Sequence, residues 1–214
     1  MIRVKRTKKP AVLAENAAKW KREIRSARTE DAREKAQSKY QHDDIKQALE
    51  EMFHGKCAYC ESEITHIGYS HIEHFKPKGT PAYFALAVEW DNLLLACGRC
   101  NGAENKGKKF PLGDKGGPLI NPVEDYPSQH LRFDYDPKLE LANVLGKSKR
   151  GETTQKILGL NRPKLLSHRS KYVRKLWVIA DRYHNDAAAR EIIDSATRST
   201  EEYSAFARAL KRSL

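Results

Sequence analysis

Long apolar runs are missing from this chain. The longest, Ala82 to Val88, has seven residues, far short of the roughly 18 to 20 that a bilayer-crossing helix requires, so no membrane partner is expected. The basic opening MIRVKRTKKP passes into AVLAENAAKWKRE without a sustained apolar stretch and does not resemble a signal peptide. The expected location is therefore cytoplasmic. Cysteine is scarce too, at four residues in 214. A reducing compartment disfavours structural disulfides and leaves metal binding or redox chemistry as the uses to expect. The chain has no internal repeat and no low-complexity tract, which argues against repeat architectures and disordered arrays.

What is abundant is charge. Charged residues make up 32% of the chain and the formal net charge is +12, a balance that attracts polyanions and makes nucleic acid the first partner to consider. Taken alone, the same charge also fits solvated helix faces. With 39% hydrophobic residues, the chain can bury one moderate core, and a single compact unit with extensions is expected.

Three regions follow from the local patterns. Residues 1–55 form an N-terminal helical region: few β-branched residues, many Ala, Lys, Glu and Arg, and Ile45, Leu49, Met52 and Phe53 at helical spacing behind Asp43 as a cap, with Gly55 as the stop. Residues 56–112 are divided by Gly and Pro and suit a knuckle, a hairpin and a helix opening near Cys97. Residues 113–214 begin as a long Gly- and Pro-rich loop with a short strand at His130 to Tyr135. A helix then follows Asn161 and Pro163, with Leu166, Val173, Leu176, Trp177, Ala180 and Tyr183 on one face. Ser199 and Glu202 have capping-box spacing for a last helix that turns Tyr203, Phe206 and Leu210 inward.

All four cysteines lie in two pairs of identical spacing, CAYC at 57–60 and CGRC at 97–100, with thirty-six residues between Cys60 and Cys97. That interval is longer than in a compact zinc ribbon, so the knuckles would clamp an inserted element. Four thiolates from Cys57, Cys60, Cys97 and Cys100 satisfy the tetrahedral preference of Zn²⁺ and leave no open position, which makes the ion structural. A redox protein would need a lone reactive CxxC at a helix N-terminus rather than two pairs.

Inside the clamp, Glu73 and His74 are adjacent. Where a strand leaves its sheet, such a carboxylate can hold a divalent cation while the imidazole faces a water, the arrangement that phosphodiester hydrolysis needs. A carboxylate oxygen with an amide oxygen suits Mg²⁺. His71 lies two residues along, on the face of Glu73 rather than of His74.

Glu73-His74, Asn92 in DNLLLACGRC and Asn101 directly after Cys100 resemble the HNH motif of the ββα-metal nucleases in zinc-clamped form. The resemblance implies His74 as general base, Glu73 and Asn101 as ligands of a catalytic Mg²⁺ or Mn²⁺, and Asn92 as the residue whose amide braces the loop and orients His74. It also implies a phosphate-facing Lys106. KCAYCE at 56–61, HIEHFKPK at 71–78, EWDNLLLACGRCN at 89–101, KKFPL at 108–112 and ILGLNRPKL at 157–165 are together similar to the HNH subunit of Septu-type anti-phage systems, which also occurs beside some retrons. The fold so implied is α+β, a zinc-clamped ββα-metal core embedded in N- and C-terminal α-helices. Implied partners are DNA or RNA, an ABC-type ATPase and, in retron settings, a reverse transcriptase with its RNA–DNA product. Two departures stand out. The wider superfamily more often has Asp at the position of Glu73, and Asn105 competes with Asn101 for the second ligand role.

Lys76, Lys78, Arg99, Lys106, Lys108 and Lys109 surround the motif and are expected to neutralise phosphates. The C-terminal helices, with Tyr172, Trp177, Tyr203 and Phe206 among their apolar residues, are the expected docking surface for the ATPase. A non-catalytic zinc-knuckle adaptor would share the cysteines and the charge, but gives no reason for Glu73, His74, Asn92 and Asn101 to occur in HNH order.

Overall fold

The computed structural model describes residues 1–66 and 70–214. The chain separates into two compact units, one comprising Val4–Ala58 and Glu63–Phe110, the other Met1–Arg3, Tyr59–Ser62 and Pro111–Leu214.

In the first unit, α1 (Ala11–Ser26) buries Leu13, Ala17, Trp20 and Ile24, the three- and four-residue spacing of one helical stripe. Helix α2 (Glu30–Gln37) starts at Thr29, whose side chain accepts from the Ala32 amide, with Glu30 and Asp31 in its first turn. Both features satisfy the exposed amides and positive end of a helix N-terminus. Helix α3 (Asp43–Phe53) buries Ile45, Leu49, Met52 and Phe53. Its cap is the His42 ring, which accepts from the Asp44 amide, while Asp43 is the first helical residue. The helix stops on two left-handed residues, His54 and Gly55. A Cβ on Gly55 would lie 2.5 Å from Thr65 Oγ1, so glycine is required there on both counts.

Strand β1 (Ser70–His74) pairs antiparallel with β2 (Leu93–Cys97), Ser70 opposite Cys97 and His74 opposite Leu93. Leu93, Leu94, Leu95 and Ala96 are all fully buried, and α3 packs against both strands, which explains an apolar run without alternation. The short helix α4 (Gly98–Asn101) follows β2 directly, with Cys97 Sγ accepting from the Cys100 amide at its start. Hairpin and helix give the ββα arrangement.

The second unit opens with α5 (Pro127–His130), which leads into β3 (Leu131–Asp136); β3 pairs antiparallel with β4 (Leu141–Gly146). Helices α6 (Lys149–Ile157), α7 (Pro163–Ala180), α8 (Ala187–Ala196) and α9 (Ser204–Lys211) complete it. Leu176, Ala180, Ile193, Ala196, Ala207 and Leu210 form an apolar cluster between α7, α8 and α9. Asn161 ties the start of α7 to β4 by accepting from the Val144 amide at 2.9 Å and donating to its carbonyl at 2.8 Å. The buried Arg169 guanidinium donates to the carbonyls of Ala142 and Leu160 and to Asn161 Oδ1, meeting the requirement that a buried charge be hydrogen-bonded. Tyr203, Phe206 and Leu210 are buried, as their inward reading requires. The last helix, however, begins at Ser204 after a left-handed Tyr203, not at Ser199. Among the described residues no helix is long and apolar enough to cross a membrane.

Candidate active site and metal centre

The two knuckles meet. One sulfur from each of Cys57, Cys60, Cys97 and Cys100 lies within 4.8 Å of every other. Tetrahedral zinc with Zn–S bonds of about 2.3 Å needs sulfurs about 3.8 Å apart, so small side-chain movements close the four thiolates around an ion. Cys57, Cys60 and Cys100 are buried. The Ala58 amide donates to Leu95 O at 2.8 Å, pinning the first knuckle to β2 and thereby to the second. This cluster could hold one zinc.

Glu73 and His74 are the last two residues of β1. Consecutive strand residues normally point to opposite faces, but the strand ends at His74, and both residues line one cavity of about 310 Å³ with Asn101, Lys78, Gly107, Lys108 and Tyr40. The bend is held by Asn92. Its Oδ1 accepts from the Lys76 amide at 2.7 Å, while Nδ2 donates to the Lys76 carbonyl at 3.0 Å and to Leu86 O at 3.1 Å. One residue beyond Leu86, the Ala87 carbonyl lies 3.0 Å from His74 Nε2. A carbonyl can only accept, so this contact places the ring proton on Nε2 and leaves Nδ1 with a lone pair. Tyr40 meets the same ring edge-on, centroids 4.4 Å apart.

Burial pushes the His74 imidazole down to about 4; the hydrogen bond to Ala87 opposes this and the charges of Lys78 and Lys106 add to it. The ring is neutral at neutral pH and able to accept a proton. Glu73 is 2% exposed, and its Oε1 lies 2.7 Å from Lys106 Nζ. Glu73 and Asn101 line the same cavity, with the Lys106 ammonium beside the carboxylate, and a carboxylate with a side-chain amide offers the hard oxygen donors that Mg²⁺ or Mn²⁺ takes.

The basic residues sort by position. Lys78 and Lys108 line the cavity, Lys76 is exposed with its ammonium 6.0 Å from the Tyr83 ring, and Arg99 and Lys109 are exposed beside Glu104. Lys106 departs from the phosphate-facing expectation. It is 0% exposed, with Nζ on Glu73 and donating to the His74 carbonyl at 2.9 Å, so its charge is used internally. Asn105 donates to Arg99 O at 2.8 Å and does not line the cavity, whereas Asn101 does. His71 is exposed.

Residues 30–40 contribute a wall that sequence reasoning missed. Gln37, 3% exposed, donates to Lys78 O at 2.9 Å and Phe84 O at 3.2 Å, fixing the loop that carries Lys78. Arg33, Gln37 and Tyr40 line the cavity. A lone tyrosine in the polar run AQSKYQHDD was the only cue.

A family model described as HNH endonuclease matches residues 57–107, the interval from the first knuckle to the residue after Lys106. A Septu protein PtuB from Bacillus mycoides (strain KBAB4) is 34% identical over 206 residues, covering 82% of this chain and 68% of the relative. A second Septu protein PtuB, from Bacillus thuringiensis, is 38% identical over 163 residues, covering 75% of this chain and 55% of its own length. A Septu protein PtuA from the same B. mycoides strain is 32% identical over 152 residues, covering 59% of this chain and 20% of that protein. With Glu73, His74 and Asn101 lining one cavity, a four-cysteine cluster next to it in sequence, and that coverage of a PtuB, the chain belongs to the Septu PtuB family of HNH endonucleases.

Proposed function

We propose that this nuclease is the toxic effector of a bacterial anti-phage system, hydrolysing phosphodiester bonds in DNA or RNA, tRNA included, with His74 as general base and Glu73 and Asn101 as ligands of a Mg²⁺ or Mn²⁺ ion. The carrying observation is the His74 ring: neutral, its Nε2 proton committed to Ala87 O, its Nδ1 free to take a proton from water. When bound, the ion stabilises charge on the phosphate and the leaving oxygen. Asn92 acts through geometry: it holds both the backbone after His74 and the segment that presents Ala87 O. Lys78 and Lys108 draw phosphate to the cavity, and exposed Lys76, Arg99 and Lys109 extend the positive surface. The four cysteines hold the structural zinc.

The chain works in the cytoplasm with an ABC-type ATPase that restrains or licenses it and, in retron settings, with a reverse transcriptase and its RNA–DNA product. Helix α7 supports a docking role. Trp177 is 40% and Val178 58% exposed, beside a groove that includes Leu139, Leu166 and Arg174. Tyr203 and Phe206, at 1% and 3% exposure, belong to the core and are withdrawn from that surface. The deciding experiment is cleavage of labelled DNA and of total tRNA by the protein with its genomic neighbours, with and without Mg²⁺. Mg²⁺-dependent cleavage that His74→Ala abolishes supports the reading, and full activity in that variant overturns it.

A further inference from the structure

Lysine is almost never fully buried unless its charge is met. Lys106 Nζ contacts three oxygens: Glu73 Oε1 at 2.7 Å, His74 O at 2.9 Å and Gly107 O at 3.5 Å. The backbone holds it there. The Lys106 amide donates to Cys100 O at 3.2 Å, and its carbonyl accepts from Lys109 at 2.7 Å. Gly107 follows at φ +44, where a Cβ would come within 2.9 Å of Ala103 Cα. The ammonium is thus positioned by the loop leaving the second knuckle and is not a mobile surface charge that settled on a nearby carboxylate.

Glu73 is also the carboxylate that the proposed function gives to the divalent ion, and the present inference rests on that reading. We propose that Lys106 is an internal counter-cation that competes with the divalent ion for Glu73, so that the protein without nucleic acid binds the ion weakly. An ion entering beside Glu73 brings two positive charges to a carboxylate already neutralised by Lys106. Arg33, Lys78 and Lys108 line the same cavity and add to the excess, while Glu30 and Glu34, also in its lining, reduce it. Like charges at contact distance in a partly dehydrated site repel strongly, and a phosphate diester supplies the negative charge that relieves the repulsion. Metal and nucleic acid then load together, which keeps an unengaged nuclease largely without its ion.

The test is Mn²⁺ binding by calorimetry to the zinc-loaded full chain without nucleic acid. Lys106→Met and Lys106→Gln, which remove the charge, are expected to bind Mn²⁺ about tenfold or more tightly than the natural protein, and Lys106→Arg, which keeps it, to stay within about threefold. Unchanged or weaker binding in both neutral variants, with zinc content and far-ultraviolet circular dichroism intact, overturns the proposal. So does failure of both to fold, which would assign the ammonium to structure alone. Adding Glu73→Gln separates the two readings. If the double variant Glu73→Gln/Lys106→Met keeps the tight site, Glu73 is not the ligand and the proposed function fails at that residue; if it loses the site, competition at Glu73 stands.

Discussion

Replacing Asn92 by alanine removes three side-chain hydrogen bonds, at 2.7, 3.0 and 3.1 Å, from a residue 5% exposed. At a net contribution of roughly 0.5–1.5 kcal/mol each, the loss is about 2–4 kcal/mol. For a chain of this size that corresponds to a fall of about 5–15 °C in the melting temperature of the unit that contains it. The larger effect is on catalysis. Without the clamp on Lys76 and Leu86 the carbonyl of Ala87 is no longer fixed, the Nε2 proton loses its acceptor, and His74 can turn or change tautomer. A misplacement on the order of 1 Å at a catalytic group costs about a hundredfold, so kcat is expected to fall by about that factor while KM for nucleic acid changes little. Asn92→Asp sharpens the test: it keeps the acceptor for the Lys76 amide but sets a carboxylate oxygen against two carbonyls, and it should lose at least as much activity as Asn92→Ala. The assay is steady-state cleavage well below the lowered melting temperature, with zinc content measured in parallel. An Asn92→Ala protein that is folded, zinc-loaded and fully active would refute the orienting chain from Asn92 through Leu86 and Ala87 to His74.

Purified protein should carry one zinc per chain; because a structural zinc site contributes on the order of 10 kcal/mol, stripping it or introducing Cys97→Ser should unfold the unit built from Val4–Ala58 and Glu63–Phe110, and zinc well below one equivalent in folded protein would remove the site. His74 is held neutral by burial, about 4 against an ordinary 6.5, so its contribution to stability is fully present above pH 6.5 and is lost as pH falls towards 4. Between those limits the natural protein should lose about 3 kcal/mol more than His74→Gln, measured by denaturant melts at each pH, and superimposable pH profiles would count against the buried neutral ring. Trp177→Glu with Val178→Glu should abolish co-purification with the proposed ATPase partner while the protein stays folded and keeps its zinc; intact co-purification would return α7 to a purely structural role.

The cysteine cluster was legible in the sequence because zinc chemistry constrains spacing, and spacing survives in one dimension. Helix α3 was legible because its apolar residues match the helical period, and the β1–β2 hairpin because Gly and Pro divide that stretch into short segments. Lys106 was misread because sequence displays a charge but not its burial, and nothing local distinguishes an internal ion pair from a solvated rim. Strand β4, LANVLG, carries no strong alternation and exists because β3 and the Asn161 side chain pair with it. Helix α8 follows an Asp186 cap that accepts from Ala188 and Ala189, a signal present but hidden in a run of alanines. Tyr203 was expected both to face inward and to help form a docking surface, and it is buried; its hydroxyl lies 3.0 Å from His168 Nδ1 and 2.9 Å from Ser62 Oγ, partners 35 and 141 residues away that no window could have joined to it. The cavity wall from α2 was invisible for the same reason: Gln37 earns its position through backbone carbonyls of Lys78 and Phe84.

The carboxylate of Glu73 and the imidazole of His74 hang from consecutive α-carbons at the end of β1, so a single peptide unit sets the spacing of their attachment points. That spacing is insensitive to how accurately the rest of the molecule is assembled: a breathing motion of the sheet, a loosened helix or a distant substitution carries both groups together and leaves their separation nearly unchanged. Register is the exception. Sliding β1 by one residue against β2 would exchange the faces of every side chain on the strand, sending the carboxylate and the ring to the wrong sides at once. Small errors are absorbed and the one large error is total, so a population of imperfectly folded chains divides into working and inert molecules with few of intermediate rate.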